Sequence, residues 1–160
     1  MNAVTVRTAT KADFAQVFPL IQALWSYNVY DEAATRAVYE QIVRDAQCGG
    51  QSHSFAFVAR KRDEAERADG GDIIGFCHGD FFNTLWMCGK TCYLSGIITA
   101  ESERKRGVGS AMLAAVKAVA RERGAKAIIL ESGLSRTEAH RFYEAHGFEK
   151  TCYGFELTLG

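Results

Sequence analysis

Residues 91–113 read TCYLSGIITAESERKRGVGSAML, and the fold turns on how this stretch is interpreted. TCYLSGIIT (91–99) has the Thr, Tyr and Ile content of a β-strand, yet Ser95 and Gly96 in its middle are poor strand formers. A glycine inside a strand marks either a bulge, where another group comes close, or a local twist. Arg104, Lys105 and Arg106 then stand directly before Gly107 and Gly109, and Val108, Met112, Ala115 or Val116, and Val119 recur at helical spacing. A helix N-terminus carries unpaired N–H groups and about half a positive charge, so it attracts phosphate when the preceding loop lets an anion in. Gly107 and Gly109 permit that approach, and the three cations add charge-assisted contacts. The loop is neither a Walker A loop nor the dinucleotide fingerprint, because it lacks their glycine spacing. Taken alone, it reads equally as a solvated, arginine-rich helix cap.

The rest of the chain supplies the surroundings of that loop. AVTVRTAT (3–10) alternates like a half-buried strand, and Thr10 with Asp13 forms a capping box for a helix over roughly 11–27. Pro19 lies inside that pattern and predicts a kink or a later helix start. A second helix spans Asp31 to Gln47, with Ala34, Val38, Ile42 or Val43, and Ala46 on one face. Strands over 53–60 and 72–82 form an antiparallel hairpin across the charged, solvated connection KRDEAERADGG (61–71). The helix after the basic loop ends at Gly124, and AIILE (127–131) is a strand parallel to 91–99 through a right-handed crossover. SRTEAHRFYEAHGF (135–148) is a fourth helix stopped at Gly147, and segments around 148–150 and 153–159 are expected to close the sheet. The fold class is mixed α/β, in one domain over 1–160.

Composition narrows the function. The 160 residues carry 19 Lys plus Arg against 19 Asp plus Glu, so no global field draws the chain to nucleic acid or to an anionic membrane. Any anion site is local. No segment reaches the roughly 20 apolar residues of a membrane span, and the N-terminus has no signal-peptide run, which predicts a cytoplasmic protein. Cys48, Cys77, Cys88, Cys92 and Cys152 lack metal or disulfide spacing and read as reduced thiols, with no metal expected.

The strand interrupted at Ser95 and Gly96, the loop Arg104 to Gly109, the amphipathic helix and the later Ala139, Phe142, Tyr143, Gly147 and Phe148 together resemble the GNAT superfamily of acetyl-CoA-dependent N-acetyltransferases. The resemblance covers almost the whole chain in element order. It implies a central mixed, mostly antiparallel sheet splayed between strands 4 and 5 and flanked by about four helices. It further implies acetyl-CoA as co-substrate, with its diphosphate on Arg104, Lys105, Arg106, Gly107, Val108, Gly109 and Ser110. Its pantetheine would pair with the backbones of Ile97, Ile98 and Thr99, and Tyr143 would protonate the departing thiolate. A pantetheine arm is peptide-like and can add as a short extra strand. The acceptor wall of the family maps to Trp25, Tyr27, Asn28 and Tyr30. A primary amine of a small molecule or peptide is the expected acceptor, with no nucleic-acid or membrane partner, and family habit implies a homodimer.

The sequence departs from the family at three points. Ser95 and Gly96 stand near the position where many members carry a carboxylate on the fourth strand, Arg136 replaces an Asn, and TAESE replaces a Pro after that strand. The acceptor ammonium, with a pKa near 10.4 if it resembles Lys, must still lose a proton. Asp80 is the first choice as its acceptor, with His78 on the same strand face, Glu101 and a water wire as alternatives. Cys77 and Cys92 lack a base partner for acyl-enzyme chemistry. The missing acid also motivates a rival reading, a CoA-binding regulatory or interaction module. The motif near the C-terminus most resembles aminoalkylphosphonate and related small-amine acetyltransferases.

Overall fold

The computed structural model describes residues 4–61 and 71–159, and the charged connection over 62–70, expected to be a solvated loop, lies outside the described residues. Two compact bodies are present, Met1–Ile129 and Leu130–Gly160. The first contains β1 (Val4–Thr8), α1 (Phe14–Leu24), α2 (Glu32–Ala46), β2 (Ser54–Lys61), β3 (Ile73–Thr84), β4 (Gly89–Thr99), α3 (Val108–Glu122) and β5 (Ala127–Ile129); the second contains α4 (Thr137–Ala145). The strands form one sheet in the order β1-β2-β3-β4-β5, antiparallel throughout except for the final parallel pair. This is the expected mixed α/β architecture.

Helices α1 and α2 cover one face of the sheet. Phe14, Val17 and Ile21 of α1 and Tyr39, Val43 and Ala46 of α2 pack with Ala56 and Val58 of β2, Phe76 of β3 and Ile98 of β4. Helix α3 covers the other face, where a β-carbon on Gly75 would collide with Met112 and Val108. The buried stripe of α2 is displaced from the expected one: Val38 is exposed and Tyr39 is buried. Tyr39 offers a larger apolar ring, and its hydroxyl donates to the Thr10 carbonyl at 2.8 Å, so its polar end is satisfied in the core.

The entry to α1 is the capping box read from the sequence. The backbone N–H of Thr10 donates to Asp13 Oδ2 at 2.7 Å, and a single 3-10 turn (Lys11–Asp13) leads into the helix. The helix therefore starts later than 11 and ends at Leu24, with Pro19 in its interior. Asp13 is buried and accepts from Arg7 at 2.7 and 2.8 Å and from Arg60 at 3.2 Å. Burial alone would push its carboxyl up, but the bonds from Arg7 and Thr10 outweigh it and hold the group below the usual carboxylate range.

The expected closing strands do not form. Residues 148–150 and 153–159 form no strand. A strand exists only where its N–H and C=O groups meet a partner ladder. The alternating Tyr153, Phe155, Leu157 and Leu159 are all exposed, although their pattern has the period of a strand.

Candidate functional site

Gly107 is the N-cap of α3 and has φ +83°, and Lys105 two residues earlier has φ +62°. A β-carbon at Gly107 would meet nothing within 4 Å, so glycine is required there by backbone conformation and not by crowding. Left-handed residues in such a turn aim successive N–H groups into one concavity, which is an anion-binding nest. The first bond of α3 runs from the Ala111 N–H to the Gly107 carbonyl at 2.9 Å, so the amides of Val108 and Gly109 make no intrahelical bond. Arg104, Lys105 and Arg106 are exposed around this turn. Arg106 reaches Glu103 at 3.4 Å, and Glu103 also pairs with Lys61 at 2.7 Å. The Lys61 bond is the main cause that holds the Glu103 carboxyl below its ordinary range.

The sheet opens beside this turn. The parallel ladder of β4 with β5 runs from Thr91↔Ala127 to Tyr93↔Ile129 and stops there. From Leu94 to Thr99, β4 keeps its pairing with β3 and, among the described residues, has no strand partner on its other edge. Ile97, Ile98 and Thr99 therefore present backbone groups along an open edge that precedes the α3 turn. The departure from β5 coincides with a bulge: His78 pairs with Gly96 and Gly79 with Leu94, which leaves Ser95 as the extra residue. The bulge is tight, because a β-carbon at Gly79 would collide with the Tyr93 carbonyl oxygen.

On the α1/α2 side of the bulge the structure brings together Trp25, His78 and Asp80. The His78 ring stacks on Phe76 at 5.6 Å between centroids and meets Trp25 edge-on at 6.2 Å. Asp80, two residues along the same strand face, accepts from the Ser54 hydroxyl at 2.8 Å. Ser54 is in turn fixed by its N–H donating to Asp45 Oδ2 at 2.6 Å. Burial would raise the Asp45 carboxyl, but the bonds from Ser52 and Ser54 outweigh it and keep it low. Burial pushes the His78 imidazole below its ordinary range, and the charge of Asp80 opposes that shift. Glu101 is exposed, at the start of the 3-10 turn after β4.

The four aromatic and polar positions after α1 divide. Trp25 is half-buried against the core, and Tyr30 donates to the Trp25 carbonyl at 3.1 Å and stands edge-on to Phe18. Tyr30 thus closes the C-terminus of α1. Tyr27 and Asn28 are exposed on the following turn. Sequence reasoning missed Ser54, which anchors Asp80, and the seat of Trp25 over Gly96. The signal for the second was present, since a strand glycine marks a close approach. Cys77 and Cys92 are buried; burial raises the Cys77 thiol well above its ordinary range and pushes Cys92 up to about 12, so neither supplies a thiolate.

In the second body, Tyr143 packs in α4 against Phe142 and Phe148 at 5.5 and 5.8 Å. Burial raises its phenol pKa, with Arg136 at the helix N-terminus pulling the other way. Gly147, at φ +87°, ends the helix.

Residues 15–148 match the profile of the Acetyltransferase (GNAT) family. The chain belongs to that family. It is 27% identical over 158 residues, 94% of this chain and 89% of the relative, to an aminoglycoside N(6')-acetyltransferase type 1 of Stenotrophomonas maltophilia. Among solved structures it resembles AAC(6')-Iy in complex with a bisubstrate analog, CoA-S-monomethyl-acetylneamine, at 22% identity and a TM-score of 0.78 over 99% of both chains. It also resembles a transcriptional regulator from Bacillus halodurans at 22% identity and a TM-score of 0.81, over 98% of this chain and all of that one. As a GNAT protein the chain is an acetyl-CoA-dependent N-acetyltransferase. Among the described residues no helix is long and apolar enough to cross a membrane.

Proposed function

We propose that this protein transfers an acetyl group from acetyl-CoA to a primary amine of a small polyamine of the aminoglycoside class, by direct attack. One observation carries the cofactor half of the reading: the β4–β5 ladder ends at Tyr93↔Ile129, and the open edge of β4 leads through one 3-10 turn (Glu101–Glu103) to the left-handed turn of Lys105 and Gly107. A diphosphate fits a turn whose helix amides make no intrahelical bond and whose Gly107 faces open space. The backbones of Ile97, Ile98 and Thr99 would hold the pantetheine amides as a short added strand. Arg104, Lys105, Arg106 and Ser110 would flank the phosphates. Acetyl-CoA supplies the activated acyl group.

The acceptor half rests on the face bearing Trp25, His78 and Asp80. Asp80 is fixed by Ser54 and lies on the strand that borders the bulge, which suits it to attract an ammonium group. Trp25, Tyr27, Asn28 and Tyr30 would line the approach of the acceptor, and Tyr143 would give its proton to the departing thiolate. The relative from Stenotrophomonas maltophilia supports an aminoglycoside over the aminoalkylphosphonate suggested by the C-terminal motif.

The test is a thiol-release assay with acetyl-CoA and a panel containing sisomicin, neamine, spermidine and an aminoalkylphosphonate. The reading predicts turnover with the aminoglycosides and a fall in kcat of about tenfold or more for Tyr143→Phe. CoA binding without turnover on any amine would favour the regulatory module instead.

A further inference from the structure

The imidazole of His78 has no hydrogen-bond partner at Nδ1, which is sealed from solvent. Buried polar atoms are nearly always satisfied, so an orphan beside a candidate site calls for an explanation. The residue as a whole is half-buried, and Nδ1 is the ring nitrogen that is sealed. Phe76 stacks beneath it and Trp25 meets it edge-on, which fixes the plane of the ring.

Its place on the sheet matters as much as its surroundings. His78 is the register partner of Gly96, next to the extra residue Ser95. Directly opposed residues of an antiparallel pair have β-carbons about 5 Å apart, so the imidazole stands within one strand spacing of the bulge. Gly96 offers no side chain on that face, and Trp25 occupies the space where its β-carbon would project. The charged group acting on the ring is Asp80, from its own strand. The neighbours from other elements, Ala56 on β2, Gly96 on β4 and Trp25 on α1, bring no charge. A neutral base, an aromatic wall and one anchored carboxylate within a strand spacing of an open strand edge suit a protonated primary amine.

We propose that His78 receives the acceptor's ammonium group and takes its proton before attack, in place of the carboxylate that the fourth strand lacks. This rests on the acetyl-transfer reading above. The step uses the tautomer that carries its proton on Nδ1, which leaves the lone pair on Nε2, the ring nitrogen that is not sealed. One N–H bond of the ammonium breaks, its proton passes to Nε2, and Asp80 balances the resulting imidazolium. The freed amine lone pair forms the C–N bond as the C–S bond breaks. Tyr143 protonates the departing thiolate, the second amine proton makes good the one Tyr143 gives up, and the imidazolium returns its proton to solvent.

The experiment compares the wild type, His78→Gln and His78→Ala for acetyl-CoA binding by calorimetry and for kcat/KM with sisomicin across pH. The expected result is unchanged acetyl-CoA affinity, a loss in kcat/KM of about 100-fold or more, a deficit that shrinks as pH rises toward the pKa of the amine, and partial rescue of His78→Ala by added imidazole. A His78→Gln protein with the melting temperature, kcat/KM and pH profile of the wild type would overturn the proposal. Should both variants fail to fold, nitrogen NMR of the wild type with CoA decides: the His78 ring resonance must move on addition of sisomicin, and a static resonance overturns the assignment. Failure of the underlying reading is distinguishable, because the wild type itself would then bind no acetyl-CoA and release no thiol.

Discussion

A β-carbon added at Gly96 would stand 2.9 Å from Cη2 of Trp25 and 3.0 Å from Cδ2 of Leu24, so the end of α1 rests on β4 at its bulge. The side chain missing from the strand and the indole filling its place form one arrangement. Gly96→Ala is therefore expected to overpack this contact and to cost about 1–3 kcal/mol. Thermal unfolding measures the loss, and the fluorescence of Trp25 should shift toward longer wavelength as the ring is pushed outward.

Asp13 ties Arg7 and Arg60 to the start of α1, and both Asp13 and Arg60 are nearly inaccessible. Asp13→Asn removes the buried charge that faces Arg60. The predicted loss is about 3 kcal/mol by urea unfolding, discounted for the exposure of Arg7. Because the folded carboxyl is held below its unfolded value, this contribution is present above about pH 4 and disappears as pH falls further.

His78 predicts a second, higher acid limb. Its folded pKa is depressed, chiefly by burial. On acidification the unfolded chain takes up this proton before the folded one does, so stability is complete above about pH 6.5 and declines below it. Urea unfolding at about pH 7.5 and about pH 5.5 should show a smaller drop for His78→Gln than for the wild type. Equal drops would contradict a buried neutral ring.

Much of this was legible because local chemistry decided it. The Thr10–Asp13 box, the stop at Gly124 and the turn at Gly107 each need only a few neighbouring residues, and each lies where its residues predict. The shared strand face of His78 and Asp80 followed from strand period alone. What stayed hidden depends on tertiary partners. Tyr39 replaced Val38 in the core because a carbonyl 29 residues away accepts its hydroxyl. The seat of Trp25 over Gly96 joins elements remote in sequence. Residues 153–159 have the alternation of a strand, but alternation does not supply a ladder to pair with.

The central claim is that the turn at Lys105 and Gly107 holds the diphosphate of acetyl-CoA, and the most direct measurement is calorimetric titration of acetyl-CoA into the wild type and Gly107→Val. A valine must pay about 1–2 kcal/mol or more to adopt φ +83°, so the nest should distort. Saturable heat for the wild type that weakens at high salt, and a loss of affinity of about tenfold or more for Gly107→Val, is the predicted result. No heat with the wild type, or equal affinity in both proteins, would contradict it.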